Sequence, residues 1–326
     1  MKKSFYFIIF CFFAINAMAE IKTDVNQDGY VTTADVTCIF DHILGYNSSN
    51  YFNCDVNGDG LVNAADLTFM YKKLVEGTDQ EYNVTEFSVN GATFKMIYVA
   101  GGTFQMGATD ELEDVSFNNA KPTFNVSLND YYIGQTEVTQ ELWQAVMENN
   151  PSYYKGKTGE DHSQHPVEQI SWDDCQEFVA RLNQMTGMNF RLPTEAEWEF
   201  AARGGNCSQG YIYSGSNNVN EVAWYSLNLP SHFPATSGFG TQPVAQKNPN
   251  ELGIFDMSGN VQEWCQDWFG EYTSHPKTNP CGPENGYYRV NRGGDYGHVD
   301  ICCIIPYRLK LPPDGWSSSV GMRLAL

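Results

Sequence analysis

Two segments near the start of the chain carry the same helical pattern of apolar residues. Each stripe follows the spacing i, i+3, i+4, i+7 and i+8, and the second stripe repeats the first 31 residues later. Two short helices with matching apolar faces can bury each other. The pattern therefore predicts a pair of packed helices. The stripes are Val36, Ile39, Phe40, Ile43 and Leu44, and Leu67, Met70, Tyr71, Leu74 and Val75.

The pattern changes after a polar, non-periodic segment at residues 78–86, which predicts a linker. From Phe87 onward, short alternating segments are separated by glycines and aromatic residues, as in short strands. Only a few segments have helical spacing. The sequence thus predicts an α+β domain over residues 87–326, rich in loops and with little regular sheet.

Three helices are predicted in this second region from their periodicity and end signals. The first covers Thr139–Met147. Ser171 begins the second as an N-cap, with Asp174 three residues later, and Thr194 begins the third. Gly204 is expected to end the third helix.

The first 19 residues have the layout of a secretory signal. Lys2 and Lys3 precede an apolar run at residues 5–13, and residues 17–19 are Ala-Met-Ala, a small-x-small cleavage pattern. An uncleaved anchor is the alternative, but the run is short for a bilayer. We expect residues 1–19 to be a cleaved signal peptide and the protein to be secreted, without a membrane span.

Composition narrows the classes of partner. The chain has 39 acidic and 19 basic residues and a formal net charge of −20. This balance disfavours nucleic-acid binding and docking to anionic membranes, because both require a basic face.

Signal cleavage leaves eight cysteines, an even set that favours disulfides in an oxidising compartment, although the sequence does not give their pairing. They are Cys38, Cys54, Cys175, Cys207, Cys265, Cys281, Cys302 and Cys303.

A loop rich in Asp and Asn precedes each helix of the first pair. Oxygen ligands stand at loop positions 1, 3, 5, 7, 9 and 12, a glycine at position 6 permits the sharp turn, and the order is that of an EF-hand-like calcium loop. The last ligand is Asp instead of the usual Glu. Two plain surface turns are the alternative, but two loops in register with the same stripe favour calcium. The ligands are Asp24, Asn26, Asp28, Tyr30, Thr32 and Asp35, and Asp55, Asn57, Asp59, Leu61, Asn63 and Asp66.

These paired loops resemble a type I dockerin over residues 21–77, within a first module at residues 20–77. The resemblance implies a small all-α, calcium-dependent module that docks onto a cohesin of a scaffold protein. Such modules often read their partner through Ser or Thr at loop positions 10 and 11. Here those positions are Thr33-Ala34 and Ala64-Ala65, which leaves the identity of the partner open.

A series of short sequence words runs through residues 87–326 and resembles the formylglycine-generating enzyme family, also called sulfatase-modifying factors. The resemblance implies a loop-rich α+β fold related to C-type lectins. The words include Tyr131-Tyr-Ile-Gly-Gln-Thr-Glu-Val-Thr139, Arg191-Leu-Pro-Thr-Glu-Ala-Glu-Trp-Glu199, Gly253-Ile-Phe-Asp-Met-Ser-Gly-Asn-Val261, Arg292-Gly-Gly294, Tyr307-Arg308 and Gly321-Met-Arg323.

Oxidases of this family bind Cu(I) between two thiolates and convert a sulfatase cysteine to formylglycine. The family-equivalent positions in this chain are His298 and Cys303, so one thiolate is missing. Asp295 and Gln262 replace a Ser and a Trp that are common in the family. A copper site formed by His298 and Cys303, or with Cys302, is the alternative to a structural role. Because an imidazole does not replace a thiolate for Cu(I), we do not expect copper here and expect Cys303 in a disulfide and His298 on a surface pocket.

The resemblance also implies a calcium site in the second domain. It would use side-chain oxygens of Asp256 and Glu263 and backbone carbonyls of Gly259 and Val261. A turn stabilised by Asn260 is the alternative.

Three functional hypotheses follow. The leading one is a secreted modular protein whose second domain binds or presents an unknown protein or glycan without oxidase activity. The second is a formylglycine-generating oxidase with an altered site. The third is a structural subunit of a surface or matrix.

Overall fold

Two units make up the chain in the computed structural model, residues 1–80 and residues 81–326. The structure describes residues 25, 33–44, 54, 62, 66–67, 83–108, 118–156, 161–230 and 239–326. No helix in these stretches is long and apolar enough to cross a membrane. The predicted signal peptide and most predicted calcium-loop ligands lie outside the described residues. Those ligands are Asp24, Asn26, Asp28, Tyr30, Thr32, Asp55, Asn57, Asp59, Leu61 and Asn63, together with the side chain of Asp35.

The first unit contains helix α1, Thr33–Ile43. Ile39 of the predicted stripe is fully buried, in one apolar cluster with Val25 and Cys54, and Val62 and Leu67 pack against it. Both repeats therefore contribute to one small core. Three other stripe residues, Phe40, Ile43 and Leu44, are exposed.

Short strands in four sheets form the frame of the second unit. The sheets have the strand orders β1-β2-β5, β11-β10-β8-β12, β3-β4-β9 and β6-β7. The strands are β1 Val84–Val89, β2 Ala92–Val99, β3 Thr103–Met106, β4 Phe124–Ser127, β5 Tyr131–Gly134, β6 Ala223–Trp224, β7 Ser258–Gly259, β8 Gln262–Trp268, β9 Lys277–Thr278, β10 Arg289–Arg292, β11 Arg308–Leu311 and β12 Val320–Met322. Strand β1 begins at Val84, inside the segment predicted as a linker. Its first three residues are all exposed, so they lack the apolar alternation that first marks a strand at Phe87.

The three helices predicted in this region are present. They are α2 Gln140–Met147, α3 Trp172–Thr186 and α4 Glu195–Ala202, and the single-turn α5 Val219–Val222 was not predicted. Thr139 caps α2, and both Ser171 and Thr194 form capping boxes with the residue three positions later. Helix α4 ends at Ala202, before Gly204, which opens a following 3₁₀ turn with φ 86°.

Two apolar clusters lie on either side of these elements. One packs α2 and α3 against β1, β2 and β12, and the other packs α4 against β2, β4 and β5. Trp143, Trp198 and Trp264 are almost fully buried. The family words therefore supply core residues as well as polar ones.

Buried carboxylate–guanidinium pairs join α4 to the four-stranded sheet. Glu199 pairs with Arg292 of β10, and Glu195 of α4 accepts two bonds from Arg308 of β11, of 2.6 and 2.8 Å. Burial acts to raise the pKa of Glu199, but the charges of Arg203 and Arg292 outweigh it, so the pKa is lowered and the ionised carboxylate is stabilised.

A second buried pair joins β8 to the last strand. Arg323 contacts Glu263 at 2.6 Å and also donates to the carbonyls of Gly134 and Phe255. Trp198 donates its indole N–H to the same carboxylate at 2.7 Å. Both charged side chains are completely buried, so each depends on the other for its neutralisation.

Replacing Arg323 by methionine should destabilise the second unit by about 3–5 kcal/mol, because Glu263 would remain buried without its partner. All seven tryptophans lie in this unit, so tryptophan fluorescence in a urea titration measures its unfolding. The matched control is Arg181→Met, which breaks the exposed Glu177–Arg181 pair and should cost under about 1 kcal/mol. Equal losses in the two variants would contradict the role assigned to the buried pair.

Candidate functional site

The loop after β10 gathers the residues that differ from the family pattern. Gly293 and Gly294 follow Arg292 with φ of 99° and 71°, a conformation that favours glycine. A Cβ on Gly294 would lie 2.5 Å from the carbonyl oxygen of Cys302. The two glycines therefore let the loop turn back closely enough to bring Asp295 beside the 3₁₀ turn Asp300–Cys303.

Asp295 is the centre of a polar arrangement in this loop. It is completely buried, and its Oδ2 accepts from Gln262 Nε2 at 2.5 Å and from His298 Nδ1 at 2.7 Å. Its Oδ1 accepts from the backbone N–H of Gly297 at 2.7 Å. The hydrogen bond to Asp295 raises the pKa of His298, whose side chain is about half exposed. Three of the four family-equivalent positions are thus joined in one hydrogen-bond chain.

Cys303, the fourth position, is fully buried. Burial raises the pKa of its thiol strongly, and the nearby charges of Asp295 and Cys302 raise it further. Burial also raises the pKa of Cys302. Both groups therefore remain thiols at neutral pH, whereas Cu(I) binding in the family uses thiolates.

Disulfide bonds are not present among the eight cysteines that the structure describes. The expected disulfides, including one at Cys303, stay a prediction.

An aromatic wall, defined as Tyr153, Tyr154, Phe239 and Tyr296, lies beside Asp295. The ring of Tyr154 is 5.3 Å from that of Tyr296, and Phe239 lies 5.7 Å from Tyr296. Tyr153 contacts Tyr154 at 4.9 Å and is 67% exposed. Tyr296 is buried, so the wall runs from an interior ring beside Asp295 to the exposed ring of Tyr153.

The predicted second-domain calcium site lies in a region with excess buried negative charge. Asp256, Glu263 and Glu137 interact electrostatically, and Arg323 is the basic group that lowers the pKa of Glu137. Burial, then Asp256 and Glu263, raises the pKa of Glu137 well above its usual value, and burial raises that of Asp256 to about 6. Arg323, and Lys247 near Asp256, supply the opposite charge to these carboxyl groups.

The backbone here turns sharply, with three residues in the left-handed region. Asp256, Gly259 and Asn260 have φ of 59°, 82° and 57°. Asn260 donates to Glu137 at 2.8 Å, and the N–H of Val261 donates to the same carboxylate at 3.1 Å. The expected calcium ligands are the carboxylates of Asp256 and Glu263 and the carbonyls of Gly259 and Val261. Both oxygens of Glu263 already accept hydrogen bonds from Arg323, and one also accepts from Trp198, so a calcium ion would compete with that pair. In the described residues, no three His, Cys, Asp or Glu side chains are grouped around a common metal position.

One predicted dockerin ligand, Asp66, is described, and it is completely buried. The remaining loop ligands lie outside the described residues.

The sequence did not single out Glu137, Tyr154 or Glu168 as site residues. Glu137 stands inside the word Gly-Gln-Thr-Glu-Val, so its position in that word was the available signal. Glu168 and Tyr154 carry no such signal, because only the folded chain brings residues 150–156 against residue 168.

Aromatic residues near the end of β8 pack against basic side chains. Arg289 stacks on Trp268 at 3.5 Å and on Trp172 at 3.7 Å. Arg308 covers Tyr272 at 3.9 Å and Phe269 at 4.4 Å. Their ring faces are already covered by cations.

Comparison with known proteins assigns both units. Residues 82–326 match the family model described as sulfatase-modifying factor enzyme 1-like domain. The protein belongs to this family. Residues 22–75 match the dockerin type I domain, so a dockerin precedes the sulfatase-modifying factor domain, as the sequence predicted.

Named relatives of this sulfatase-modifying factor protein include a chaperone protein and enzymes. "Chaperone protein LppX" of Paenibacillus barcinonensis is 36% identical over 261 residues, covering 65% of this chain and 87% of that protein. A formylglycine-generating enzyme of Streptomyces coelicolor is 37% identical over 171 residues, covering 49% of this chain and 52% of the enzyme. The chain thus spans about half of that enzyme's length.

Among solved structures, Treponema denticola variable protein 1 has a TM-score of 0.65 and 31% identity, with 74% of this chain and 98% of that protein covered. PvdO from Pseudomonas aeruginosa has a TM-score of 0.59 and 22% identity, with 76% of this chain and 99% of that protein covered. At this identity the similarity supports a common fold and nothing further. These neighbours confirm the mixed α and β architecture of the second unit. The all-α character of the dockerin stays a prediction.

Iodoacetamide should alkylate Cys303 of the reduced native protein roughly 100-fold more slowly than the exposed Cys207, because reaction requires an accessible thiolate. Mass spectrometry of tryptic peptides at timed intervals measures both rates. Unfolding in urea should make the two rates similar. Comparable rates in the native protein would show that the thiol is accessible.

Proposed function

We propose that the protein is an exported, modular binding protein. The dockerin attaches it to a scaffold protein, and the sulfatase-modifying factor domain binds a protein or glycan without oxidising it. The observation that carries the proposal is the bond between His298 and buried Asp295 at the family's copper position. A ligand-binding surface would comprise this pair and the aromatic wall.

The chemistry of the site supports binding over oxidation. A Cu(I) centre of the family type needs two facing thiolates. This chain has an imidazole, His298, at the first family position and a buried thiol, Cys303, at the second, and the other buried thiol, Cys302, is its neighbour in sequence. The Nδ1 of His298 is engaged by Asp295 at 2.7 Å, and the Asp295 charge disfavours ionisation of Cys303. These groups orient a polar contact but do not supply the missing thiolate.

A formylglycine-generating oxidase with an altered site is the second candidate. It is favoured by the retained Cys303 and by the similarity to the Streptomyces coelicolor enzyme. That similarity spans 171 residues, about half of this chain, and the residues His298, Asp295 and Gln262 differ from the family pattern at the expected copper position.

For the first unit, type I dockerin domains in general bind calcium and cohesins. We extend this to two calcium ions in the loops beginning at Asp24 and Asp55, and to a cohesin-type partner. Export through residues 1–19 and disulfides among the eight remaining cysteines belong to the same proposal. Cys38 packs against the small core that contains Cys54, so this pair is our first candidate for a bond.

Calcium removal should abolish docking. With EDTA, the mature protein should lose far-UV circular dichroism from the first unit and lose retention on an immobilised cohesin, because folding of this small core depends on the ions. Calcium should restore both. The double variant Asp24→Ala, Asp55→Ala should behave like the chelated protein, while Glu271→Gln, at an exposed position, should not. Unchanged dichroism on chelation would rule out calcium-dependent folding.

The mature protein should leave a sulfatase-type cysteine peptide unchanged when incubated with Cu(I) and O2, as measured by peptide mass. Restoring the family residues with His298→Cys and Asp295→Ser should increase Cu(I) binding, because two thiolates could then face each other. Formylglycine formed by the unaltered protein and lost in Cys303→Ser would establish the oxidase instead. A binding role predicts retention of a ligand by the unaltered protein without any change in the ligand's mass.

A further inference from the structure

Glu168 is a buried carboxyl that the proposed function does not use. Its side chain has no exposed surface, and its Oε1 accepts from the backbone N–H of Tyr154 at 2.7 Å. Its Oε2 is also buried and has no hydrogen-bond partner among the described residues. An ionised carboxylate in this position would carry a charge that is only partly compensated, which is costly in a protein interior.

Glu168 forms hydrogen bonds with the segment 150–156. The backbone N–H of Glu168 donates to Ser152 Oγ at 3.3 Å, and Glu168 Oε1 accepts from the backbone N–H of Tyr154. The carbonyl of Tyr154 also accepts from Gln140 Nε2 at 3.1 Å. The two bonds to Glu168 therefore hold this segment, together with its bonds to Gln140 and His162.

The same segment carries half of the aromatic wall. Tyr153 and Tyr154 belong to it, and the ring of Tyr154 packs against Tyr296, the residue after Asp295. A Cβ on Gly240 would lie 2.5 Å from the Tyr154 ring, so this ring is closely packed in its present position. Loosening the segment would therefore change the surface beside His298.

The surroundings of Glu168 make its proton state responsive near neutral pH. Burial raises the pKa of Glu168 to about 7, against the opposing effects of the Tyr154 and Tyr153 backbone N–H groups and of Lys155. The phenol of Tyr154 also faces this carboxyl, and its own pKa is raised, chiefly by burial. His165, three residues earlier, has its pKa lowered to about 4 by burial and so stays neutral throughout this range.

The direction of the effect follows from the sign of the shift. We call segment 150–156 closed when it is packed on Glu168 as in this structure, and open when Glu168 is exposed to water. Because the pKa of Glu168 is higher in the closed form than in the open form, the protonated carboxyl favours the closed form. That preference is complete below the ordinary glutamate pKa of about 4.5 and is lost as the pH rises through about 7.

We propose that Glu168 is a proton-operated latch: in its neutral form it holds segment 150–156 closed, and its ionisation loosens the segment and rearranges the aromatic wall. The latch gives the binding surface a pH dependence between mildly acidic and mildly alkaline conditions. It depends only on the contacts of Glu168, so it stands whether the domain binds a ligand or oxidises a client.

Hydrogen–deuterium exchange of the full mature chain tests the latch. Protection factors, corrected for intrinsic exchange, are compared at pH 5, 6, 7 and 8. Protection at Tyr153 and Tyr154 should fall by roughly 100-fold from pH 5 to pH 8, the change that a pKa difference of about two units implies. Protection in α4 should not follow this change. Equal pH responses in the two regions of the unaltered protein would overturn the proposal.

Three variants assign the response to Glu168. Glu168→Gln, which resembles the neutral acid, should keep the segment protected at pH 8, and exposed Glu271→Gln should leave the response unchanged. His162 is also titratable, and its Nδ1 contacts the Tyr154 carbonyl at 2.9 Å, so His162→Gln must retain the response. A response that survives in Glu168→Gln, or disappears in His162→Gln, would overturn the assignment.

Discussion

The second unit depends on burying carboxylates against arginines. Helix α4 places Glu195 and Glu199 against Arg308 and Arg292, and Glu263 of β8 is paired with Arg323. A buried charge is tolerated only when an opposite charge and hydrogen bonds accompany it. Each pair therefore fixes the distance between two elements that are far apart in sequence. Because of these fixed distances, short strands joined by many loops still form one defined frame.

This frame also explains how the site can diverge while the fold persists. Gln262 precedes Glu263 on β8, and Asp295 follows Arg292 by three residues. Successive side chains of a strand point to opposite faces, so the ion pair and the site residue use different sides of the same element. Replacing the residues on the site side leaves the Glu263–Arg323 pair in place, and the buried carboxylate of Asp295 has its own partners in Gln262 and His298. The Asp295–His298–Gln262 chain can thus occupy a frame shared with oxidases.

Much of the frame was predictable because its signals are local. Thr139, Ser171 and Thr194 cap the helices that the sequence assigned to them, since a capping hydroxyl needs only residues three positions away. The end of α4 was predicted as well. The helix ends at Ala202 with Arg203 as its C-cap, and Gly204 follows with positive φ, at the position where a glycine commonly stops a helix. The strands were harder to delimit because most contain four residues or fewer.

The sequence by itself determined the order of the two modules and the family of each, because these depend on residue identity and spacing along the chain. Tertiary structure decided how the remaining site residues are used. The bond between His298 and Asp295, the burial of Cys303 and the contact of Glu168 with Tyr154 join residues whose environments no local pattern encodes. Burial and the proximity of charges set the proton state of each group, and both arise only when distant segments pack together.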